Sequence, residues 1–346
     1  MNIYKKFFFV FKKYLKNFIF KIFSLSVSKF FFSFFRGNGC ILMFHRILNE
    51  ENLSQDRFVQ LGITKKDFNK KIKYLSSNYK ILSLENFVDH INLKKKHFAI
   101  TLTFDDGYKD NLTNMLPIIN RYKIPVTIFV CVGFINKKSN LWWFQINNIL
   151  LTKKKISFSF EKVFYSFNLS TDLDKEIFFV FAKKKYFSLK NNLKMKFINA
   201  ITGSSKPKIN FSKHCLSWTE LKKLTKNPLI TIGAHSVTHP ILSTLNKEDL
   251  KKEILLSKKI LEKKLKIKVK FFSYPYGDKV SASHREFDFV RKANYLAAVT
   301  TENGYPKNNN LFNLPRQNVG SNIINFELLE AKLSGLRMIN YNKLYS

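Results

Sequence analysis

Two short stretches of this 346-residue chain carry side chains that could hold a metal ion and move a proton. The first is Ile100-Thr101-Leu102-Thr103-Phe104-Asp105-Asp106-Gly107. Adjacent carboxylates at the end of an apolar run repel each other unless a cation sits beside them, and the glycine after them suits a tight turn. The second is Gly233-Ala234-His235-Ser236-Val237-Thr238-His239-Pro240, with two imidazoles four positions apart that can converge on one ion from a strand end and its following turn. A His, His, Asp set offers nitrogen and oxygen donors and leaves a coordination position open, as catalytic zinc requires. Singly, each stretch has a plainer reading: a surface Asp-Asp turn, or a chance HxxxH in a helix. Their joint occurrence, each after an apolar run, points to metal-assisted chemistry.

Such ligands need rigid elements behind them. The runs Ile41 to His45, Phe98 to Phe104, Val126 to Gly133, Thr231 to Ala234, Phe271 to Tyr274 and Leu296 to Thr300 are rich in β-branched or aromatic residues and read as buried strands. Between them lie helical patterns such as Lys247 to Lys266, where Leu250, Ile254, Leu261 and Leu265 share a face and Asn246 is the expected N-cap. Strands alternating with helices imply a parallel α/β sheet covered on both faces, either a barrel or an open doubly wound sheet. Residues 136–215 break this rhythm. They are rich in Lys and Phe, show helical spacing with no clear strand pair, and read as an insertion packed as a lid or side wall.

Composition constrains partners less than it first suggests. The chain has 60 Lys plus Arg against 24 Asp plus Glu, a net charge of +36, yet 45% of its residues are hydrophobic and 16% aromatic, so it should fold. The lysines are spread along the whole length and no nucleic-acid motif occurs, so no nucleic-acid partner is expected. Cys40, Cys131 and Cys215 are widely spaced, which disfavours a disulfide framework and fits three buried thiols in a reducing compartment. Residues 1–36 hold twelve Phe, eight Lys or Arg and no acid. Their charges interrupt any apolar run long enough for a spanning helix or a cleavable signal. The expected location is cytoplasmic and peripheral at the inner membrane, with residues 1–36 against an anionic membrane surface; a helix packed on the domain, or an extension, is the other reading. Residues 1–38 are taken as this segment and 39–346 as one catalytic domain.

The ordered strings Thr103-Phe104-Asp105-Asp106-Gly107, His235-Ser236-x-x-His239 and Tyr274-Pro275-Tyr276-Gly277 resemble the polysaccharide deacetylases with a NodB homology domain, carbohydrate esterase family 4. Leu42-Met43-Phe44-His45-Arg46, Leu116-Pro117, Pro125-Val126-Thr127-Ile128-Phe129 and Leu314-Pro315-Arg316 extend the likeness from about Cys40 to Gly320. The resemblance implies a distorted seven-stranded (β/α) barrel, with the helical insertion and an N-terminal helical extension. It also implies removal of N-acetyl groups from an amino sugar of a polysaccharide, glycan precursor or glycolipid, using a divalent metal such as zinc. Carried over, it makes Asp105 the general base, Asp106, His235 and His239 the metal ligands, and the Tyr276 backbone N–H an oxyanion donor.

Several departures bear on the mechanism. Where many members begin the third motif with an arginine that holds the base, this chain has Ser273; the fourth motif is not recognisable; and Leu311 to Val319 offers no histidine as general acid. His45, at the end of the first strand, is proposed as the acid or a sugar-binding group, and Arg316 as the cation that replaces the missing arginine. A structural role is the competing reading for both, and a catalytically degenerate glycan-binding barrel at the membrane is the alternative for the whole chain. Asp110 and Asn111 are expected to cap the next helix, and Trp142, Trp143 and Phe144 either to stack on a sugar or to anchor the insertion.

Overall fold

The computed structural model describes residues 37–53, 59–139, 141–203, 211–306, 310–321 and 324–334. The strands are β1 (Gly39–Phe44), β2 (Arg46–Leu48), β3 (Gly62–Thr64), β4 (Lys80–Ile81), β5 (Ala99–Phe104), β6 (Val126–Val130), β7 (Lys155–Phe160), β8 (Val163–Asn168), β9 (Ile230–Ala234), β10 (Phe271–Ser273), β11 (Ala297–Val299) and β12 (Gln317–Asn318). Seven of them form a curled parallel sheet in the order β11-β10-β9-β6-β5-β1-β12, with β4 added beside β5. The segment Leu314–Asn318 closes it into a barrel: Leu314 bridges to Val299 of β11, and Gln317 and Asn318 pair with Leu42 and Met43 of β1. The expected seven-stranded (β/α) barrel is what the chain forms.

Strand pleating sorts the side chains. Cys40, Leu42, Phe44, Ile100, Leu102, Phe104, Val126, Ile128, Val130, Ile232 and Phe272 face outward into the main core beneath the helices. Ile41, Ala99, Phe129, Phe271, Ala297, Val299 and Leu314 fill the interior instead. Continuing that alternation one step past β5 and β9 puts Asp105 and His235 in the interior at the carboxyl ends, and Arg316, two residues after the inward Leu314 and just before β12, meets Asp105 there. Gly233 lies one turn of the pleat below His235. A Cβ there would come within 2.4 Å of the Phe129 ring, so glycine lets that ring fill the barrel.

Helix Lys247–Leu265 is capped as expected by Asn246, whose side chain accepts from the Asp249 backbone N–H, and it buries Leu250, Ile254, Leu261 and Leu265. The insertion differs from its expected all-helical character. Its helices Trp142–Thr152, Asp172–Ser188 and Asn191–Thr202 pack with an antiparallel hairpin, β7 with β8, around a second apolar core. In β7 Ile156, Phe158 and Phe160 are buried while Lys155, Ser157 and Ser159 are exposed. The hairpin turns through Glu161 and Lys162, both at positive φ (49° and 63°). Positive φ at both positions usually calls for Asn or Gly, and neither is present, so the turn carries no sequence signal.

Asp110 and Asn111 also depart from expectation. Asp110 makes no cap; it accepts from the Arg46 side chain at 3.0 Å and from the Ile47 N–H at 2.9 Å, while Asn111 donates to the His45 carbonyl at 2.9 Å. They pin the bend after β1, where backbone groups have left the sheet and need partners. All three cysteines are buried free thiols. Among the described residues no helix is long and apolar enough to cross a membrane, and residues 1–36, with the expected membrane contact, lie outside them.

Two buried lysines anchor the chain that closes the barrel. Lys71 donates to the carbonyls of Val319 (3.3 Å) and Ile324 (2.5 Å), and Lys332 donates to Gln317 Oε1 (3.3 Å). Burial pushes both amines down to about 8, against weaker opposing pulls from Asp67 and Cys40 respectively. Between about pH 8 and the ordinary lysine range near 10.5 the unfolded chain therefore binds more protons than the folded one, and these groups favour folding increasingly as pH rises. The melting temperature of the parent, minus that of a Lys71→Met variant, is expected to grow from pH 7.5 to pH 10 in thermal melts. A constant difference would count against the buried, proton-releasing amine.

Candidate functional site

Asp105 and Asp106 leave the end of β5 in a backbone reversal. Asp105 stays in register, its N–H donating to the Phe44 carbonyl at 3.0 Å, and Asp106 and Gly107 then turn through φ of 77° and 80°. Left-handed backbone disfavours most residues with a Cβ, Asp and Asn less than others. The reversal lets two adjacent carboxylates serve different places. Asp105 continues the interior file, and Asp106 swings toward the end of β9.

His235 and His239 are set by the loop after β9, where Ser236 and His239 are left-handed at 61° and 63°. Glu253, from helix Lys247–Leu265, clamps that loop. Its carboxylate accepts from the N–H groups of Val237 (2.7 Å) and Thr238 (2.9 Å) and from the Thr238 hydroxyl (2.6 Å). Gly133 supports the loop from the other side, donating to the Val237 carbonyl at 2.6 Å; a Cβ on it would stand 2.6 Å from that oxygen.

Asp106, His235 and His239 bring one donor atom each to within 4.8 Å of one another. Both Nε2 atoms stand 3.4 Å from Asp106 Oδ1, and that buried oxygen has no hydrogen-bond partner among the described residues. The spacing is long for a hydrogen bond, but a tetrahedral centre with ligand bonds of about 2.1 Å has edges of about 3.4 Å. Two imidazoles and an orphaned carboxylate oxygen at that separation fit a divalent cation. His235 Nδ1 lies 2.8 Å from the Ser273 carbonyl, which fixes the tautomer that turns the Nε2 lone pair inward. Burial alone would raise the Asp106 carboxyl, but the two imidazoles hold it well below the ordinary carboxylate range.

Behind Asp105 stands Arg316, fully buried at the barrel seam. Its guanidinium has five N–H bonds, and all five have acceptors: Nε donates to the Thr300 carbonyl at 2.8 Å, one terminal nitrogen to Thr103 Oγ1 (3.1 Å) and Asp105 Oδ1 (2.8 Å), the other to Asp105 Oδ2 (2.6 Å) and Ser273 Oγ (3.1 Å). Ser273 also donates to Asp105 Oδ2 at 3.2 Å. The residue that stands where an arginine was expected is thus small enough to admit one from another strand. Burial pulls the Asp105 carboxyl up, but the charge and hydrogen bonds of Arg316 outweigh it and hold the group below its ordinary value.

The structure brings the remaining candidates to the same place. His45 is half-buried at the end of β1, near enough to Asp105, Asp106, His235 and Arg316 to feel their charges; burial outweighs the two carboxylates and lowers its imidazole. Tyr276 sits at φ 62° in the turn after β10, its ring centroid 4.7 Å from that of His239. Phe134 and Trp143 also lie against His239, at 5.5 Å each. Trp142 and Trp143 are therefore both core of the insertion and wall of the site, whereas Phe144 stacks on His214 at 4.4 Å. Sequence reading missed Glu253, Thr103, Thr300 and the insertion aromatics Tyr186 and Phe187. Only Ser273, as a departure from the family pattern, signalled that a cation had to arrive from elsewhere.

This chain is 31% identical over 104 residues to the protein named "Putative polysaccharide deacetylase YxkH" of Bacillus subtilis (strain 168), a match that spans 29% of this chain and 34% of that protein. Among solved structures it is similar to the Streptococcus pyogenes deacetylase PplD in complex with acetate, with a TM-score of 0.55 at 19% identity over 84% of this chain and 96% of that one. It is also similar to IcaB from Ammonifex degensii, with a TM-score of 0.52 at 14% identity over 86% of this chain and 97% of that one. These structural likenesses bear on the barrel. The model of the polysaccharide deacetylase family matches residues 92–296, more than half of the chain and a span that includes Asp105, Asp106, His235, His239 and Tyr276, and the chain belongs to that family.

Proposed function

We propose that this protein is a metal-dependent hydrolase that removes the N-acetyl group from an amino sugar of a polysaccharide, glycan precursor or glycolipid. The observation that carries the reading is a carboxylate kept ionised by Arg316 next to an open three-donor site. A divalent cation, zinc by this donor set, supplies when bound a Lewis acid that polarises the acetyl carbonyl and acidifies a water.

The chain's own groups do the rest. Among the described residues, Asp105 Oδ2 accepts two hydrogen bonds and Oδ1 one, so the lone pair open to take a proton from water is on Oδ1. The paired guanidinium keeps that carboxylate deprotonated and fixes its angle. Beyond Pro275, which has no N–H, the Tyr276 N–H makes no hydrogen bond among the described residues and is the donor offered to the developing oxyanion. His45, uncharged at rest because of burial, receives the proton and hands it to the departing amine. The degenerate glycan-binding barrel is not favoured, because the base retains a bidentate guanidinium partner despite the loss of the usual arginine. The composition of residues 1–36 supports a position at an anionic membrane surface.

Acetate release from N-acetylglucosamine oligomers should require bound metal, so release that survives a chelator would contradict the mechanism. Asp105→Asn should keep its zinc, measured by elemental analysis, while turnover falls by about 10²-fold or more; Asp106→Ala should lose the zinc itself. Arg316→Met leaves a buried carboxylate unpaired and should cost about 3–5 kcal/mol of stability. In Arg316→Lys, which keeps the charge but not the fork, Asp105 should become easier to protonate, moving the acid limb of the kcat/KM profile to higher pH; an unmoved limb would free Arg316 of any part in tuning the base. Sedimentation with anionic vesicles, with and without residues 1–36, checks the membrane assignment, and equal binding by both forms would remove it.

A further inference from the structure

Tyr276 occupies the most constrained backbone position of the site. Gly277 N–H donates to the Pro275 carbonyl at 2.7 Å across it, and with φ of 62° at the centre this is the uncommon, strained form of γ-turn. Such a conformation persists only where its surroundings over-determine it. On the barrel side, Thr301 holds the turn: its hydroxyl donates to the Tyr276 carbonyl, and its N–H donates to the Gly277 carbonyl at 2.9 Å.

The other half of the hold comes from the insertion. Trp142 Nε1 donates to the Tyr276 hydroxyl at 3.1 Å, Phe187 meets the Tyr276 ring edge-on with centroids 4.8 Å apart, and Tyr186 stacks on Trp142 at 4.5 Å. Trp142 and Tyr186 are almost fully buried, so this clamp is fixed from behind by the second apolar core. Tyr276 is thereby pinned between the insertion and the ring of His239.

We infer that the insertion is part of the catalytic apparatus, and that Trp142 is a positioning residue: through its hydrogen bond to the Tyr276 phenol it holds the strained turn so that the Tyr276 N–H faces the oxygen that gains charge. This rests on the function proposed above. Because Trp142 acts through Tyr276, its effect belongs to the transition state and should appear in kcat, with little change in KM.

The test uses the full chain loaded with zinc. Trp142→Phe keeps an aromatic ring for the Tyr186 stack and deletes only the donor; Tyr276→Phe deletes the acceptor and leaves the backbone N–H. Trp142→Phe should lower kcat about tenfold, as expected for one hydrogen bond, and Tyr276→Phe, which also removes the phenol's hydrogen bond with the Tyr186 side chain, at least as much, with zinc content unchanged. The double variant should be no slower than Tyr276→Phe alone, because that change already removes the bond that Trp142 makes. Additive losses, a rise in KM with kcat unchanged, or a Trp142→Phe turnover within twofold of the parent would overturn the inference.

Acetate supplies a readout independent of turnover, since its carboxylate can accept the same N–H. Trp142→Phe should bind acetate several-fold more weakly by calorimetry, and equal affinity would again overturn the inference. A parent chain that binds acetate but releases none from any acetylated sugar would unseat the proposed function, and the change in acetate affinity would then decide the role of Trp142 by itself.

Discussion

Burying Arg316 and Asp105 together is costly unless each charge finds a partner and every remaining donor an acceptor. The barrel meets that condition with residues from four places in the chain: Thr103 on β5 with Asp105 just past its end, Ser273 on β10, Thr300 after β11 and Arg316 on the closing segment. The pair therefore works in two directions. It ties together strands that are far apart in sequence, and it sets the ionisation and angle of the carboxylate that faces the open site. Because Arg316 lies where Leu314–Asn318 bridges β11 to β1, the interaction that orients Asp105 also marks the closure of the barrel. Lys71 and Lys332, which hold the carbonyl groups and the glutamine just beyond it, extend the same seam outward.

Around that pair the site is built from backbone in unfavourable regions. Asp106, Gly107, Ser236, His239, Tyr276 and Gly277 all have positive φ, and all lie in turns that follow β5, β9 and β10. Left-handed backbone costs roughly 1–2 kcal/mol for a residue with a side chain, so each turn needs a compensating contact from outside itself. For the histidine loop that contact is Glu253, which satisfies two backbone N–H groups at once. For the Tyr276 turn it is Thr301 on one side and the aromatic cluster of the insertion on the other. The insertion is accordingly continuous with the site although its core is separate.

Strand pleating made much of the site legible. Asp105 and His235 stand one residue beyond apolar runs, and a period of two fixes the side of the sheet that each faces once the register of the run is known. The proposed metal set, Asp106, His235 and His239, was legible for the same reason, since it follows two strong strand signals. The hairpin β7–β8 escaped because its turn is Glu161-Lys162, residues that do not announce positive φ. Asp110 and Asn111 were misread as caps because their partners, Arg46, Ile47 and His45, lie more than sixty residues away and local pattern cannot see them.

The sequence by itself determined which side chains could do chemistry and the family to which they belong, because ligand type, spacing and strand ends are local properties of the chain. It also showed, in Ser273, that the base lacked its usual partner. Arg316 was proposed for that place from the sequence with a structural role as its rival, and only the tertiary structure showed its paired contact with Asp105, that Glu253 holds the histidine loop, and that Trp142 reaches the Tyr276 hydroxyl. Those contacts join residues 211, 15 to 16 and 134 positions apart. They depend on how the sheet curls and where the insertion packs, and both are set by the sum of many small burial terms that no short window of sequence contains.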